Sequence, residues 1–318
     1  MPELQSPIPH TVEAIYRSYE AQPRHERSYL GASTLGAECD RALWYGFRLA
    51  HDPEQFDGRK LRLFETGNLE EDRVIQDLRA AGLTVHDADH ATGRQWSIAA
   101  IGGHFRGHLD GIVWGVLEAP KAEHVLEIKT HNEKSFRALT RDGVEKSKPG
   151  HFAQMQLYMH HRGVARALYV AVCKNTDEIH IERVAYDMSV AARLMARIER
   201  IIRAETAPPK LHADPASKAA FSCQWCPASG VCHDGQFARR NCRTCISASA
   251  VIDASDRGAW RCELHDRDLS FADQRAGCPS HRYLPSIVSG DQIDASETDR
   301  TVTYRLASGE TWIDGGAA

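Results

Sequence analysis

Nine cysteines constrain this chain more than any other feature of its 318 residues. Eight of them fall into two sets of four, and Cys173 is left over. Cys223, Cys226 and Cys232 follow one another as C-x2-C-x5-C, a tight group that supplies three thiolates. A fourth ligand is needed, and Cys39 is the only cysteine ahead of Cys173. Cys242 and Cys245 form a second C-x2-C, with Cys262 and Cys278 completing another four. In a chain kept in a reducing compartment such clusters hold metal rather than disulfides. Either zinc or an iron–sulfur cluster suits four thiolates. For the second set zinc is the expectation, with His265 and His281 as alternative ligands. Cys173, in the apolar run ALYVAVC, reads as a buried inert thiol.

The remaining composition narrows the class. Thirty-nine basic and 43 acidic residues give a net charge of −4, which excludes a strongly basic nucleic-acid coat protein. It leaves room for an enzyme that holds an acidic polymer in a local groove. No run approaches the ~18 apolar residues of a membrane span. MPELQSPIPHTVEAIY lacks a basic segment followed by an apolar one, so the expected location is the cytosol. No P-loop pattern occurs, so the chain is not read as a motor.

Hydrophobic periodicity predicts a short helix near Val12–Tyr19 and a loop entering a helix over 31–50. Residues 51–60 read as a loop, and a helix over Thr66–Ala81 ends at Gly82. Residues 96–116 read as a glycine-interrupted hairpin and HVLEIKT as a compact strand. A helix is expected over Pro149–Arg162, then a strand pair, then an amphipathic helix over Met188–Ala204. The cysteine-rich stretch follows, and the last segment reads as a hairpin. This order predicts an α/β core with a mixed sheet, followed by small modules. The expected division is 1–235, 236–290 and 291–318.

The chemistry gathers at Asp110 in GHLDG and at Glu127-Ile128-Lys129 in VLEIKT. Side chains on a strand alternate, so Glu127 and Lys129 share one face and Ile128 takes the other. Asp110 joins them if its strand lies alongside. Carboxylate oxygens suit Mg²⁺ or Mn²⁺. A lysine beside them can orient water and steady charge on a phosphate. On the helix that follows, Gln154 and Tyr158 stand at i, i+4 and share a face.

Asp110, Glu127-x-Lys129 and the Q-x-x-x-Y of Gln154 and Tyr158 resemble the PD-(D/E)XK nuclease superfamily, in particular its RecB-like branch. That resemblance implies a restriction-endonuclease-like α/β core with a mixed central sheet flanked by helices. It implies a metal ligand four residues after a glycine in the first helix. Gly67 is followed by Glu71, with Glu70 as the neighbouring alternative. The Ile128 carbonyl is implied as a further ligand. Cys39 with the late C-x2-C-x5-C is similar to iron–sulfur exonucleases of the AddB and CRISPR-associated kinds, as is the entry pattern of Ser33, Cys39 and Arg41. The implied cofactor there is a [4Fe–4S] cluster clamping the two ends of the core. The second set is implied to be a zinc appendix like that of phage-type members.

The implied activity is metal-dependent DNA exonuclease action on single strands or ends, in recombination, repair or phage DNA processing, beside a recombinase or helicase. A structure-specific endonuclease, or an assembly protein with a non-catalytic centre, are the other readings. Arg239, Arg240 and Arg243 are candidate phosphate contacts. So are Lys146, Lys148 and His151 at the start of the Gln154 helix. Trp225 is a candidate for packing on the cluster or stacking on a base.

Overall fold

The computed structural model describes residues 10–24 and 26–315. A five-stranded mixed sheet forms its centre. The strands are β2 (Thr84–His86), β5 (Gly111–Trp114), β6 (His124–His131), β7 (Arg166–Cys173) and β8 (Ile179–Ala185), side by side in that order. Only β6 and β7 run parallel; the other neighbours are antiparallel. A parallel pair needs a long crossover. Here it consists of α4 (Glu133–Ser147) and α5 (Pro149–Arg162).

The strand β6 is central and covered on both faces, so its apolar run is nearly continuous. Leu126 and Ile128 face α3 (Gly58–Ala80) and pack with its Val74, Ile75 and Leu78. Val125 belongs to the opposite core, with Met155, Tyr158 and Met159 of α5 and Ile198, Ile201 and Ile202 of α6 (Met188–Arg203). Each such buried aliphatic side chain contributes about 1.5–3 kcal/mol.

Local signals explain the helix ends. Pro149 opens α5 and Gly163 closes it in the left-handed region, with φ 66°. Asp187 caps α6 by accepting from the amides of Ser189 and Val190. Asp57 caps α3 by accepting from the Lys60 amide at 2.7 Å, so this helix starts well before Thr66, inside the expected loop. The helix α4 was not anticipated. It buries Phe136, Leu139 and Val144, and is kinked at Gly143 with φ 75°.

Two shorter helices, α1 (His10–Glu20) and α2 (Asp40–Phe47), precede and flank this core. The expected glycine-rich hairpin is divided between sheets. Its first half, β3 (Ser97–Ala100) and β4 (Phe105–His108), pairs within itself, and β4 also runs parallel to the two-residue β1 (Leu30–Gly31). Farther on, β9 (Ala248–Ala250), β10 (Trp260–Cys262) and β11 (Arg267–Leu269) form one small sheet. The strands β12 (Gly290–Ser296), β13 (Thr301–Leu306) and β14 (Thr311–Asp314) form another, one strand more than the expected terminal hairpin.

Residues 236–290 share the core of the rest. Cys242, Trp260, Leu269 and Ile287 belong to the same apolar cluster as Trp44, Phe47 and Phe105. Polar contacts cross the same seam. Arg243 donates to the carbonyls of Phe47 and Ser28 at 2.8 and 2.9 Å, and Asn241 donates to that of Leu49 at 2.8 Å. Among the described residues no helix is long and apolar enough to cross a membrane.

Candidate active site

The register between β5 and β6 sets Gly111 opposite Leu126. Asp110, one residue ahead, therefore stands across from Glu127. The Asp110 carboxylate accepts from the Ile128 amide at 2.7 Å, which ties the two strands together at the site. Lys129 Nζ lies 2.5 Å from Glu127 Oε1 and 3.6 Å from Asp110 Oδ2. It also donates to the Ile128 carbonyl at 2.9 Å. The pair sits on the central strand of the sheet, toward its end. Glu127, Lys129 and Val125 share the face that looks toward α5, which is why Glu127 is fully buried.

Electrostatics follow from that burial. Desolvation pushes the Glu127 carboxyl well above the usual range, against the pull of Lys129. Burial works against the charge on Lys129, but Glu127 and Asp110 outweigh it and hold the ammonium charged. Glu71 is raised to about 7, first by burial and then by the charge of Asp110. Glu71 shares a cavity with Ile128 and Lys129. Its neighbour Glu70 leans on Arg73 at 3.4 Å.

This donor set suits a hard divalent cation. Glu127 Oε2 is buried and meets no hydrogen-bond donor. A buried carboxylate with a vacant lone pair costs free energy unless something positive completes it. Glu71, Asp110, Glu127 and the Ile128 carbonyl offer only oxygen, as Mg²⁺ and Mn²⁺ require.

The other two predicted residues brace the site. Gln154 donates its amide to Tyr158 Oη at 2.8 Å. That hydroxyl donates in turn to the His108 carbonyl at 2.6 Å. Burial raises the Tyr158 phenol far above its ordinary range, so it stays a donor. Gly107 had not been singled out from the sequence. A Cβ there would lie 2.4 Å from the Tyr158 ring, so the ring passes only because the residue is glycine.

The first cysteine set converges: Cys39, Cys223, Cys226 and Cys232 line one cavity of about 400 Å³. Cys39 caps α2, its sulfur accepting from the Ala42 amide at 3.4 Å. Arg41 donates to the Pro208 carbonyl at 2.8 Å and so ties the entry helix to the segment before the late cysteines. In the second set Cys242 is raised to about 11, first by burial and then by Cys278, Cys245 and Cys262 around it. The Cys245 amide turns back to the Cys242 carbonyl at 3.1 Å, and the Ser247 amide donates to the Cys245 sulfur at 3.5 Å. His265 Nε2 stands 4.0 Å from the Cys278 sulfur, whereas His281 Nε2 is engaged by Thr244 at 3.2 Å. Among the described residues no group of three or more His, Cys, Asp or Glu side chains is drawn tightly enough to hold an ion as it stands.

The remaining candidates divide. Arg243 is fully buried and Arg239 pairs with Glu26 at 2.6 Å, so these two brace the interior rather than a phosphate. Arg240 donates to the Cys278 carbonyl at 3.1 Å. Lys146 is exposed near Asp142, whereas Lys148 and His151 line the cavity that holds Glu71. Trp225 projects from the first cysteine group and is 76% exposed, so it does not pack over the thiols. Cys173 is buried on β7.

A family model described as the PD-(D/E)XK nuclease superfamily matches residues 11–233. No curated protein matches the chain. Among solved structures, that of SSO0001 is 15% identical, with a TM-score of 0.41, covering 70% of this chain and 96% of its own. An alkaline exonuclease, LHK-Exo from Laribacter hongkongensis, is 18% identical, with a TM-score of 0.38 and coverage of 59% and 90%. A phage related exonuclease from Haemophilus somnus 129PT is 15% identical, with a TM-score of 0.36 and coverage of 54% and 91%.

Proposed function

The chain belongs to the PD-(D/E)XK nuclease superfamily, and from that premise we propose that it hydrolyses the phosphodiester bonds of DNA with Mg²⁺ or Mn²⁺, as an exonuclease. The observation that carries this reading is the buried Glu127 carboxylate, with no donor on Oε2, beside Asp110, Glu71 and a charged Lys129. Glu71, Asp110, Glu127 and the Ile128 carbonyl would hold the cation. When bound it would neutralise charge on the phosphate and lower the pKa of water.

The protein's own groups do the rest. Lys129 is anchored by two carboxylates and keeps its charge, so it can orient the attacking water and steady the negative charge that grows on the phosphate oxygens. Asp110 is held by the Ile128 amide and cannot swing away from the site. Tyr158 and Gln154 fix the main chain that leads to Asp110.

The first cysteine set is proposed to carry a [4Fe–4S] cluster and the second a zinc ion, both structural. Hydrolysis needs no electron transfer. The place of the reaction would be recombination, repair or phage DNA processing, with a recombinase or helicase as partner.

The test is digestion of linear DNA with Mg²⁺ and with EDTA, using wild type and Asp110→Ala. Loss of linear DNA only with the metal, and a fall on the order of 10³-fold in the variant, is the expected result. Equal activity in the variant would overturn the assignment. Cutting of circular single-stranded DNA would make the enzyme an endonuclease.

A further inference from the structure

The cavity beside the carboxylates holds a second group of side chains that the proposed hydrolysis does not use. It has a volume of about 450 Å³. Glu71 and Lys129 are among its walls, and Ser135, Lys148 and His151 supply others. The last three come from the first turn of α4, the joint between α4 and α5, and the first turn of α5.

A hydrogen-bonded chain runs behind them. His131 Nδ1 lies 3.0 Å from Ser135 Oγ, and His131 Nε2 lies 2.9 Å from Tyr169 Oη. The same Tyr169 oxygen lies 2.7 Å from His151 Nδ1. A phenol carries one proton, so Tyr169 donates to one imidazole and accepts from the other. Both rings are neutral. Burial, then the charges of Lys148 and Lys129, brings His131 down to about 4. Burial, then Lys129 and His131, brings His151 down to about 3. With Nδ1 engaged by Tyr169, Nε2 is the polar atom that His151 has left for a ligand. Lys148 is half-buried and, among the described residues, has no carboxylate within ion-pair distance.

One unpaired ammonium beside an imidazole whose free Nε2 can carry the proton makes a site for an anion. Glu71 is the acidic exception, and it belongs to the cation-binding set. We propose that Lys148 and His151 form a subsite for a second phosphodiester, the one next to the bond that is cut, with Ser135 setting the proton order behind them. The proposal rests on the nuclease reading. With the phosphate in place Ser135 donates to His131 Nδ1, His131 Nε2–H donates to Tyr169, and Tyr169 donates to His151 Nδ1. His151 Nε2–H is then directed at the phosphate. Tyr169 and His131 are positioning residues: they select the tautomer and touch no substrate.

The probe is a labelled single-stranded oligodeoxynucleotide, with binding read by anisotropy in EDTA and cleavage read with Mg²⁺. Lys148→Met and His151→Ala are each expected to weaken binding and raise KM ~10-fold, the size of one charge-assisted hydrogen bond, and to change kcat far less. A neutral methylphosphonate at one position flanking the cut should weaken wild type by a similar factor and the two variants no further. Tyr169→Phe keeps the ring and removes the shared proton, and should reproduce part of the His151→Ala effect. If the variants still respond in full to the methylphosphonate at each flanking position, the subsite is wrong. Asp110→Asn separates the two ideas. Full cleavage by that variant overturns the assignment of the acidic centre and the subsite with it, whereas lost cleavage with independent, multiplying effects on binding overturns the subsite alone.

Discussion

The Tyr158 hydroxyl donates to the main-chain carbonyl of His108 at 2.6 Å, two residues ahead of Asp110. A helix residue thus holds the strand end that presents a proposed metal ligand. The same hydroxyl accepts from Gln154, so the bond is fixed from both sides.

Tyr158→Phe leaves the His108 carbonyl and the Gln154 amide without their partner. The expected cost is about 1–3 kcal/mol of stability. Turnover should fall more than KM changes, because Asp110 loses its support while no group on the substrate is touched. Steady-state kinetics on linear DNA, alongside thermal melting, would show this. Wild-type kcat in a destabilised variant would refute the positioning role.

Glu71 makes stability depend on pH in the metal-free protein. Its ordinary value is 4.5, and burial with Asp110 nearby holds it at about 7. Between those values the folded chain keeps a proton that the unfolded chain has released. Stability therefore falls as pH rises through that window. The loss is on the order of 1 kcal/mol, since the group is partly exposed and solvent screens it. Glu71→Gln should flatten this part of the slope, and Mg²⁺ should stabilise wild type more at high pH than at low pH. Melting curves in EDTA from about pH 5 to pH 8 provide the check; an unchanged slope in the variant would count against it.

The two thiol sets predict separable metal contents. Anaerobically purified protein should be brown, with about four irons and one zinc. Cys226→Ser should bleach it and spare the zinc. Cys262→Ser should release the zinc and spare the colour. A colourless protein with about two zincs, unchanged by reconstitution with iron and sulfide, would assign zinc to both sets.

Trp260 tests whether the C-terminal segment is part of the core. It is fully buried, with the guanidinium carbons of Arg48 and Arg243 at 5.1 and 4.9 Å from its ring. Neither arginine forms a salt bridge among the described residues, so the aromatic face and main-chain carbonyls carry their charge. Trp260→Ala should cost about 3–5 kcal/mol. It should also lower the melting of the whole protein as one transition. Two separated transitions by calorimetry, with only the smaller one moved, would show that the segment folds by itself.

The proposed site was legible where its geometry is local. Period-two alternation placed Glu127 and Lys129 on one face, and i, i+4 spacing placed Gln154 with Tyr158. Pro149 and Gly163 bracketed α5 without any tertiary information. The helix α4 escaped because EKSFRALTRDGVEKS is mostly polar and contains Asp142-Gly143, a pair that favours turns. The early start of α3 escaped because Asp57 and Gly58 look like loop residues until the cap is seen. Arg243 reads from the sequence as a candidate phosphate contact because burial of an unpaired guanidinium depends on partners from residues 28, 47 and 274. The chain from Ser135 through His131 and Tyr169 to His151 was out of reach for the same reason. It joins four elements, β6, α4, α5 and β7, that only the crossover brings together.

The reach of Arg243 back to Phe47, across 196 residues, has a consequence for timing. A ribosome delivers the entry segment first and its partners last. At about 5–20 residues per second, residue 47 waits roughly 10–40 s for residue 243 to be made. Until then the main-chain carbonyls at Ser28 and Phe47 and the aromatic surface around Trp44 and Phe47 lack their cover. The growing chain carries Glu71, Asp110 and Glu127 long before residues 243–260 are made. Packing of the entry segment is thus completed only once synthesis has passed the Arg243–Trp260 stretch.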